Sequence, residues 1–263
     1  MGNFKKLLLI AVLSSAALTS PHTMAWAGTS ADAVMRQAIK HLRVPTEQSR
    51  IKMILVNRRG QKRTRIVSIS SSTTKGHDRS VARFNYPGGI RGTALVSHEG
   101  RDGKDTQWLF MPVLGRTRRI ATTQMGDSFM GSELAYEDIK TLRVEDWSYK
   151  MLRKERFSKR PCWVIESRPV AGHDTSYGKT ETWIDVELSV ALKTMFFDKE
   201  MRPLKVVVSQ GIEQVATGIW RARRHTFISL RTKKKTVMDY EKIVINAPLE
   251  ESIFDQRRLA QWR

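Results

Sequence analysis

Cysteine is nearly absent from this 263-residue chain: Cys162 stands alone, which excludes an intramolecular disulfide and any zinc site built on cysteines. Acidic residues are scarce, 26 against 46 lysines and arginines, giving a formal charge of +20. That excess says nothing about fold, but it specifies a partner chemistry of anionic surfaces or polymers. After the N-terminal stretch, no run is apolar enough to cross a bilayer as a helix. Catalytic signatures are missing too, with no Gly-x-Ser-x-Gly elbow, no His-Glu-x-x-His and no phosphate-binding loop. His41, His77, His98, His173 and His225 are too scattered for a local metal site. Neither a cofactor nor a metal is expected, and the chain is not expected to be an enzyme.

What is present is enough for a folded core: 40% of residues are hydrophobic and 27% charged. Residues 1–27 read as a secretory signal peptide. Lys5 and Lys6 form its positive end, Leu7 to Leu13 begin its apolar stretch, and Ala25-Trp26-Ala27 places small residues where a signal peptidase reads them. The apolar stretch is short for an uncleaved membrane anchor. Cleavage after Ala27 lowers the formal charge from +20 to +18, leaves residues 28–263 as a single domain, and places the protein in the periplasm. Export changes what the charge can meet. No nucleic acid partner is expected, and an anionic membrane surface is.

The exported part opens with one helix. Ala31, Val34, Met35, Ala38, Ile39 and Leu42 recur at three- and four-residue spacing, Ser30 supplies a cap and Pro45 a stop. From Ile51 the period changes to two. Strand-like runs follow at 51–56, 63–70, 81–86, 93–98 and 107–111, then at 147–156, 162–167, 180–186, 192–197, 204–209, 222–230 and 236–245. Short polar connections between them imply an antiparallel meander. Residues 126–142 interrupt it, and Leu134, Ile139 and Leu142 suggest a short helical insert there.

Three runs fail to alternate: Trp108-Leu109-Phe110-Met111, Trp163-Val164-Ile165 and Met195-Phe196-Phe197. Either one face of each lines a greasy cavity, or both faces are buried in an ordinary core. Basic residues gather at the tips of hairpins, as in Arg58-Arg59 with Lys62-Arg63, Arg116 with Arg118-Arg119, Arg153-Lys154 with Arg156, Arg221 with Arg223-Arg224, and Lys233 to Lys235. The neighbouring carboxylates Glu137-Asp138 and Glu145-Asp146 read as helix-end or surface charge, Ser97-His98-Glu99 as a local cluster without partners, and Cys162 as a small core residue.

One block is more specific than any of this. Arg83-Phe84-Asn85-Tyr86-Pro87, Arg91-Gly92-Thr93-Ala94-Leu95, Gln107 to Pro112, Arg116 to Ala121 and Asp127 to Ser132 follow in order, ending at Tyr136-Glu137-Asp138. Gly218-Ile219-Trp220, Thr236-Val237-Met238 and Ile253-Phe254 continue the likeness, which covers about residues 80–260. The chain resembles the LolA-like outer-membrane lipoprotein-sorting proteins of the bacterial periplasm. The resemblance implies an incomplete, strongly curved antiparallel β-barrel with a helical plug or lid, and an apolar space that shelters acyl chains in transit. On that reading Phe84, Leu95, Trp108, Phe110, Phe129, Met130, Trp183 and Phe196 contact lipid. Arg91, Arg116, Arg118 and Arg119 dock on anionic headgroups or a membrane. The implied cargo is a lipid or lipidated protein, the implied neighbour an inner-membrane exporter of the resistance-nodulation-division type, and the expected state a monomer. The competing reading is a basic periplasmic scaffold that binds anionic envelope polymers or a transporter and carries no lipid.

Overall fold

Ser30 caps helix α1 (Ala31–Leu42) as its sequence suggests, its hydroxyl accepting from the Ala33 amide at 3.1 Å. Asp32 in the first turn and Lys40 with His41 in the last complement the helix dipole. The computed structural model describes residues 29–74, 77–100 and 105–261, so the signal peptide expected over 1–27 lies outside the described residues.

Thirteen strands follow. They are β1 (Thr46–Val56), β2 (Lys62–Thr74), β3 (His77–Tyr86), β4 (Ala94–His98), β5 (Thr106–Met111), β6 (Arg116–Arg119), β7 (Trp147–Phe157), β8 (Arg160–Pro169), β9 (Tyr177–Asp185), β10 (Ala191–Asp198), β11 (Pro203–Ala216), β12 (Ile219–Ser229) and β13 (Lys235–Ile245). All pair antiparallel in one sheet ordered β6-β5-β4-β3-β2-β1-β13-β12-β11-β10-β9-β8-β7. The β1–β13 pairing joins the two halves of the meander, and β6 and β7 are left as the two edges. The barrel is therefore incomplete. Strand β6 carries Arg-Thr-Arg-Arg, with no alternation to reveal it; pairing with β5 makes it a strand.

Covering segments define two faces. On the inner face, α1 packs Val34, Met35 and Ile39 on Ile165 of β8 and Ile184 of β9. Farther along that face, the insert between β6 and β7 lays Met125, Phe129, Leu134 and Tyr136 over Met53, Val67, Phe84, Leu95 and Leu109. The insert is not an α-helix, contrary to its apolar spacing. It is wound from 3-10 turns at Thr122–Gln124, Phe129–Gly131 and Tyr136–Ile139. Two local features account for this. Met130 and Gly131 both take positive φ, and the Ser128 and Ser132 hydroxyls donate to the Ser132 and Phe129 carbonyls, competing with helical bonding.

The outer face of β3, β4 and β5 is covered by the C-terminal turns, where Phe254 and Leu259 pack on Val81, Ala94, Val96 and Phe110. This resolves the failed alternation of β5. Leu109 faces the insert and Phe110 faces the C-terminal segment, so both sides are core and neither lines a cavity. Cys162 is likewise fully buried, on the outer face with Val164, Trp183 and Leu192.

Candidate lipid-binding cavity

The inner-facing residues of β1, β2 and β3 change character along each strand. Met53 and Ile51 give way to Ser49 and Glu47, Val67 and Ile69 to Ser71 and Thr73, and Phe84 and Ala82 to Ser80 and Asp78. The apolar part lies under the insert. The polar part borders an unfilled cavity of ≈ 410 Å³ between the sheet, the end of α1 and the end of the insert, within the size range of small-molecule sites. Its apolar side comes from Ile39, Leu42, Ile139, Leu142 and Ile243, and its polar side from Ser71 to Thr73, Asp78, Ser80, Arg221 and His225.

Ion pairs hold the roof down. Arg221 of β12 bonds Glu47 at 3.0 Å and also donates to the His41 and Leu42 carbonyls, tying the end of α1 to the sheet. Arg43 bonds Glu99 at 3.1 Å and pairs with Asp78, while Lys140 and Arg143 share Asp105. Asp138 reaches the far wall of the sheet, pairing with the buried Lys205 of β11 and accepting from Tyr177 Oη at 2.7 Å. Glu137 accepts from Thr175 at 2.7 Å and from Ser176. The Glu137-Asp138 pair is thus no surface charge; it clamps the insert. Glu145, in contrast, is exposed beside Arg36.

Burial without a counter-charge pushes the His225 imidazole down to about 4. Its ring lies 3.1 Å from Ser209 Oγ and edge-on to Tyr240, whose hydroxyl burial pushes upward. Serine and histidine within hydrogen-bond reach invite a hydrolytic reading. An imidazole that far below neutrality is a poor general base, and among the described residues no carboxylate orients it. His98 donates to the Phe254 carbonyl at 2.7 Å and stacks edge-on with Trp108, a structural placement. Among the described residues no cluster of His, Cys, Asp and Glu is arranged to hold a metal.

Of the residues expected to contact lipid, Phe84, Leu95, Phe129 and Met130 come together beneath the insert, with the Phe84 and Phe129 rings 5.6 Å apart. Phe196 is also on the inner face, 4.8 Å from the Tyr177 ring and near Lys205. Trp108 and Phe110 point to the outer face, under the C-terminal turns. Trp183 lies on the outer face too, its indole bonded to Glu155 and covered by Lys193 at 3.9 Å. None of the eight borders the cavity. Its own residues were missed, although one signal was legible: the hydroxyl run Ser70 to Thr74 inside a strand, where a plugged core demands apolar side chains. Arg91, Arg116, Arg118 and Arg119 are all exposed.

An open antiparallel sheet, covered on one face by a helix and a clamped insert, is the LolA-like architecture. Residues 76–261 match the model of a family described as "Uncharacterized protein"-like, and the chain belongs to that family. No curated protein matches the sequence. Among solved structures, the chain is similar to a domain from Vibrio parahaemolyticus named for outer membrane lipoprotein sorting, at 27% identity and TM-score 0.83, over 88% of this chain and 98% of that one. A DUF1329 family protein from Desulfovibrio piger gives TM-score 0.83 at 23% identity, over 87% of this chain and 97% of that one. A LolA superfamily protein from Nitrosomonas europaea gives 0.69 at 19%, over 86% and 98%. The fold is shared with these proteins over nearly their whole length.

Proposed function

We propose that this chain is a non-enzymatic carrier of the bacterial periplasm that shelters the acyl chains of a lipid or lipidated protein while they cross water. The observation that supports the reading is the unfilled space of ≈ 410 Å³ between the inner sheet face and its covering segments. In this reading the cavity receives the polar-apolar junction of an amphiphile. Hydroxyls of β2 and β3 meet its polar end, while Ile39, Ile139, Leu142 and Ile243 meet the start of its chain. The remaining methylenes run where the insert now sits. Swinging Phe129 and Met130 outward uncovers Phe84 and Leu95, a continuous apolar floor next to the cavity.

The energetics suit a carrier. Burying a methylene from water recovers about 0.8 kcal/mol, so a sixteen-carbon chain gains about 12 kcal/mol relative to water. A bilayer offers nearly the same, which leaves the exchange close to balance and permits release. An inner-membrane exporter of the resistance-nodulation-division type is a fitting donor or acceptor, and the carrier acts as a monomer.

The test is titration with a fluorescent fatty acid whose emission rises in apolar surroundings. Saturable binding near one probe per chain, competed by natural phospholipid, is expected. Absence of saturable binding, or binding unchanged when Ser71→Phe narrows the cavity in a folded protein, contradicts the reading.

A further inference from the structure

The antiparallel register sorts the basic clusters by end. With β1 running upward, the β1–β2, β3–β4, β5–β6 and β12–β13 connections all fall at the top, because Val56 pairs with both Lys62 and Lys235, Ile66 with Tyr86, and Met111 with Arg116. The β1–β2 tip carries exposed Arg58, Arg59, Lys62 and Arg63, the β3–β4 tip Arg91, and the β12–β13 tip Lys233 to Lys235. Residues 111–121, around the β5–β6 tip, add Arg116, Arg118 and Arg119. No acidic residue occurs in residues 56–66, 86–94, 111–121 or 229–236. Among the described residues none of these cations is in an ion pair. At the other end Arg221 is neutralised by Glu47, Arg223 by Glu213 and Arg160 by Asp185, while the β7–β8 tip there keeps Arg156 and Lys159 exposed. The larger share of the unpaired cations therefore lies at the upper end, around the β1–β2, β3–β4, β5–β6 and β12–β13 tips, while the β10–β11 connection at that end brings Asp198 and Glu200 with their own arginine partners.

An apolar point projects from that end. Val113 is 84% exposed and Leu114 50%, on a 3-10 turn closed by the left-handed Gly115. Tyr86, 54% exposed, stands on the neighbouring tip, whose Gly92 is so close to Pro112 that an added Cβ would meet its ring at 3.1 Å. Cations that stay in water around side chains that gain by leaving it are the composition of a surface that rests on anionic headgroups and inserts to interfacial depth. A soluble polyanion would use the cations and leave Val113 and Leu114 without a role.

The cavity lies at the opposite ends of the same strands. Glu47 and Val56 bracket β1, and Asp78 and Tyr86 bracket β3, a separation of roughly 25–30 Å at about 3.3 Å per residue. We propose that the basic end docks on an anionic bilayer with Val113 and Leu114 in its interface, holding the cavity away from that surface, so that cargo passes to or from a partner on the aqueous side. The docking needs no lipid in the cavity, whereas the orientation rests on the carrier reading.

The experiment is vesicle sedimentation of the protein produced with its own leader, against phosphatidylcholine alone and phosphatidylcholine with 30% phosphatidylglycerol as the probe surface. Binding to the anionic vesicles only is expected, weakening from 0.1 to 0.5 M salt. Each neutralised cation should cost roughly five-fold in partitioning, so joint Arg116→Ala, Arg118→Ala and Arg119→Ala should cost about a hundred-fold. Val113→Asp with Leu114→Asp should cost about ten-fold or more. Tryptophan placed by Val113→Trp should be quenched by brominated lipid, and tryptophan placed by Leu142→Trp at the cavity should not. Equal binding to neutral vesicles, or binding to soluble polyphosphate as tight as to vesicles and indifferent to the Val113 and Leu114 changes, overturns the docking. Quenching at position 142 instead of 113 overturns the orientation. Neither result depends on fatty-acid titration, so the two readings fail separately.

Discussion

Lys205 and Asp138 form an ion pair whose side chains are only 7% and 6% exposed, and it joins the insert to strand β11. Tyr177 Oη and the Ala135 amide also donate to the Asp138 carboxylate, so the charge is satisfied from three directions. Removing one member strands the other. Asp138→Asn should cost about 3–5 kcal/mol, and at about 2–4 °C per kcal/mol the midpoint should drop by roughly 6–20 °C. The joint change Asp138→Leu with Lys205→Met should recover most of that loss, because the desolvation cost goes with the charges. Thermal melts followed by circular dichroism decide it. Equal losses in the single and double variants would mean the pair is not the clamp.

His225 makes stability depend on pH. Its ordinary value is near 6.5 and its folded value is about 4, so between those two the unfolded chain binds the extra proton. Its contribution is complete above about pH 6.5 and is lost progressively as pH falls toward 4, by an amount on the order of 3 kcal/mol. Burial lowers His98 as well, adding in the same direction. Urea titrations at pH 7 and pH 5 should show the drop in native protein and a smaller one in His225→Gln. An identical pH dependence in that variant would refute the assignment.

Phe254 is 2% exposed, with Arg79 lying over its ring at 5.1 Å. Phe254→Ala should cost about 3–5 kcal/mol. It should also expose the outer face of β3 to β5, so that limited proteolysis cuts first within residues 249–261. If proteolysis begins elsewhere and stability is unchanged, the C-terminal turns do not cover that face.

The repeating elements were legible because each had a period. The helix at Ala31–Leu42 follows from its three- and four-residue spacing, and twelve strand-like runs fall within observed strands or within a residue or so of their ends. Strand ends were less legible: β2 runs on to Thr74 through hydroxyls, and β11 passes Gly211 at φ +63 to reach Ala216. Strand β6 and the 3-10 insert were hidden for a different reason. Their conformations are imposed by neighbours and by local serine bonds, which leave no periodic trace. The site was hardest to see. Sequence shows that Trp108 and Trp183 are large and apolar but not which face they occupy, and Asp138 acquires its role from Tyr177 and Lys205, 39 and 67 residues away.

The central claim is that the inner hollow holds an acyl lipid, and the most direct measurement is mass spectrometry of an organic-solvent extract of the purified protein. Acyl lipid at a fixed molar ratio in the unaltered protein, reduced when Ala222→Phe narrows the ≈ 410 Å³ space, is the predicted result. An extract free of lipid, from a protein that also refuses lipid offered in vesicles or micelles, would contradict it.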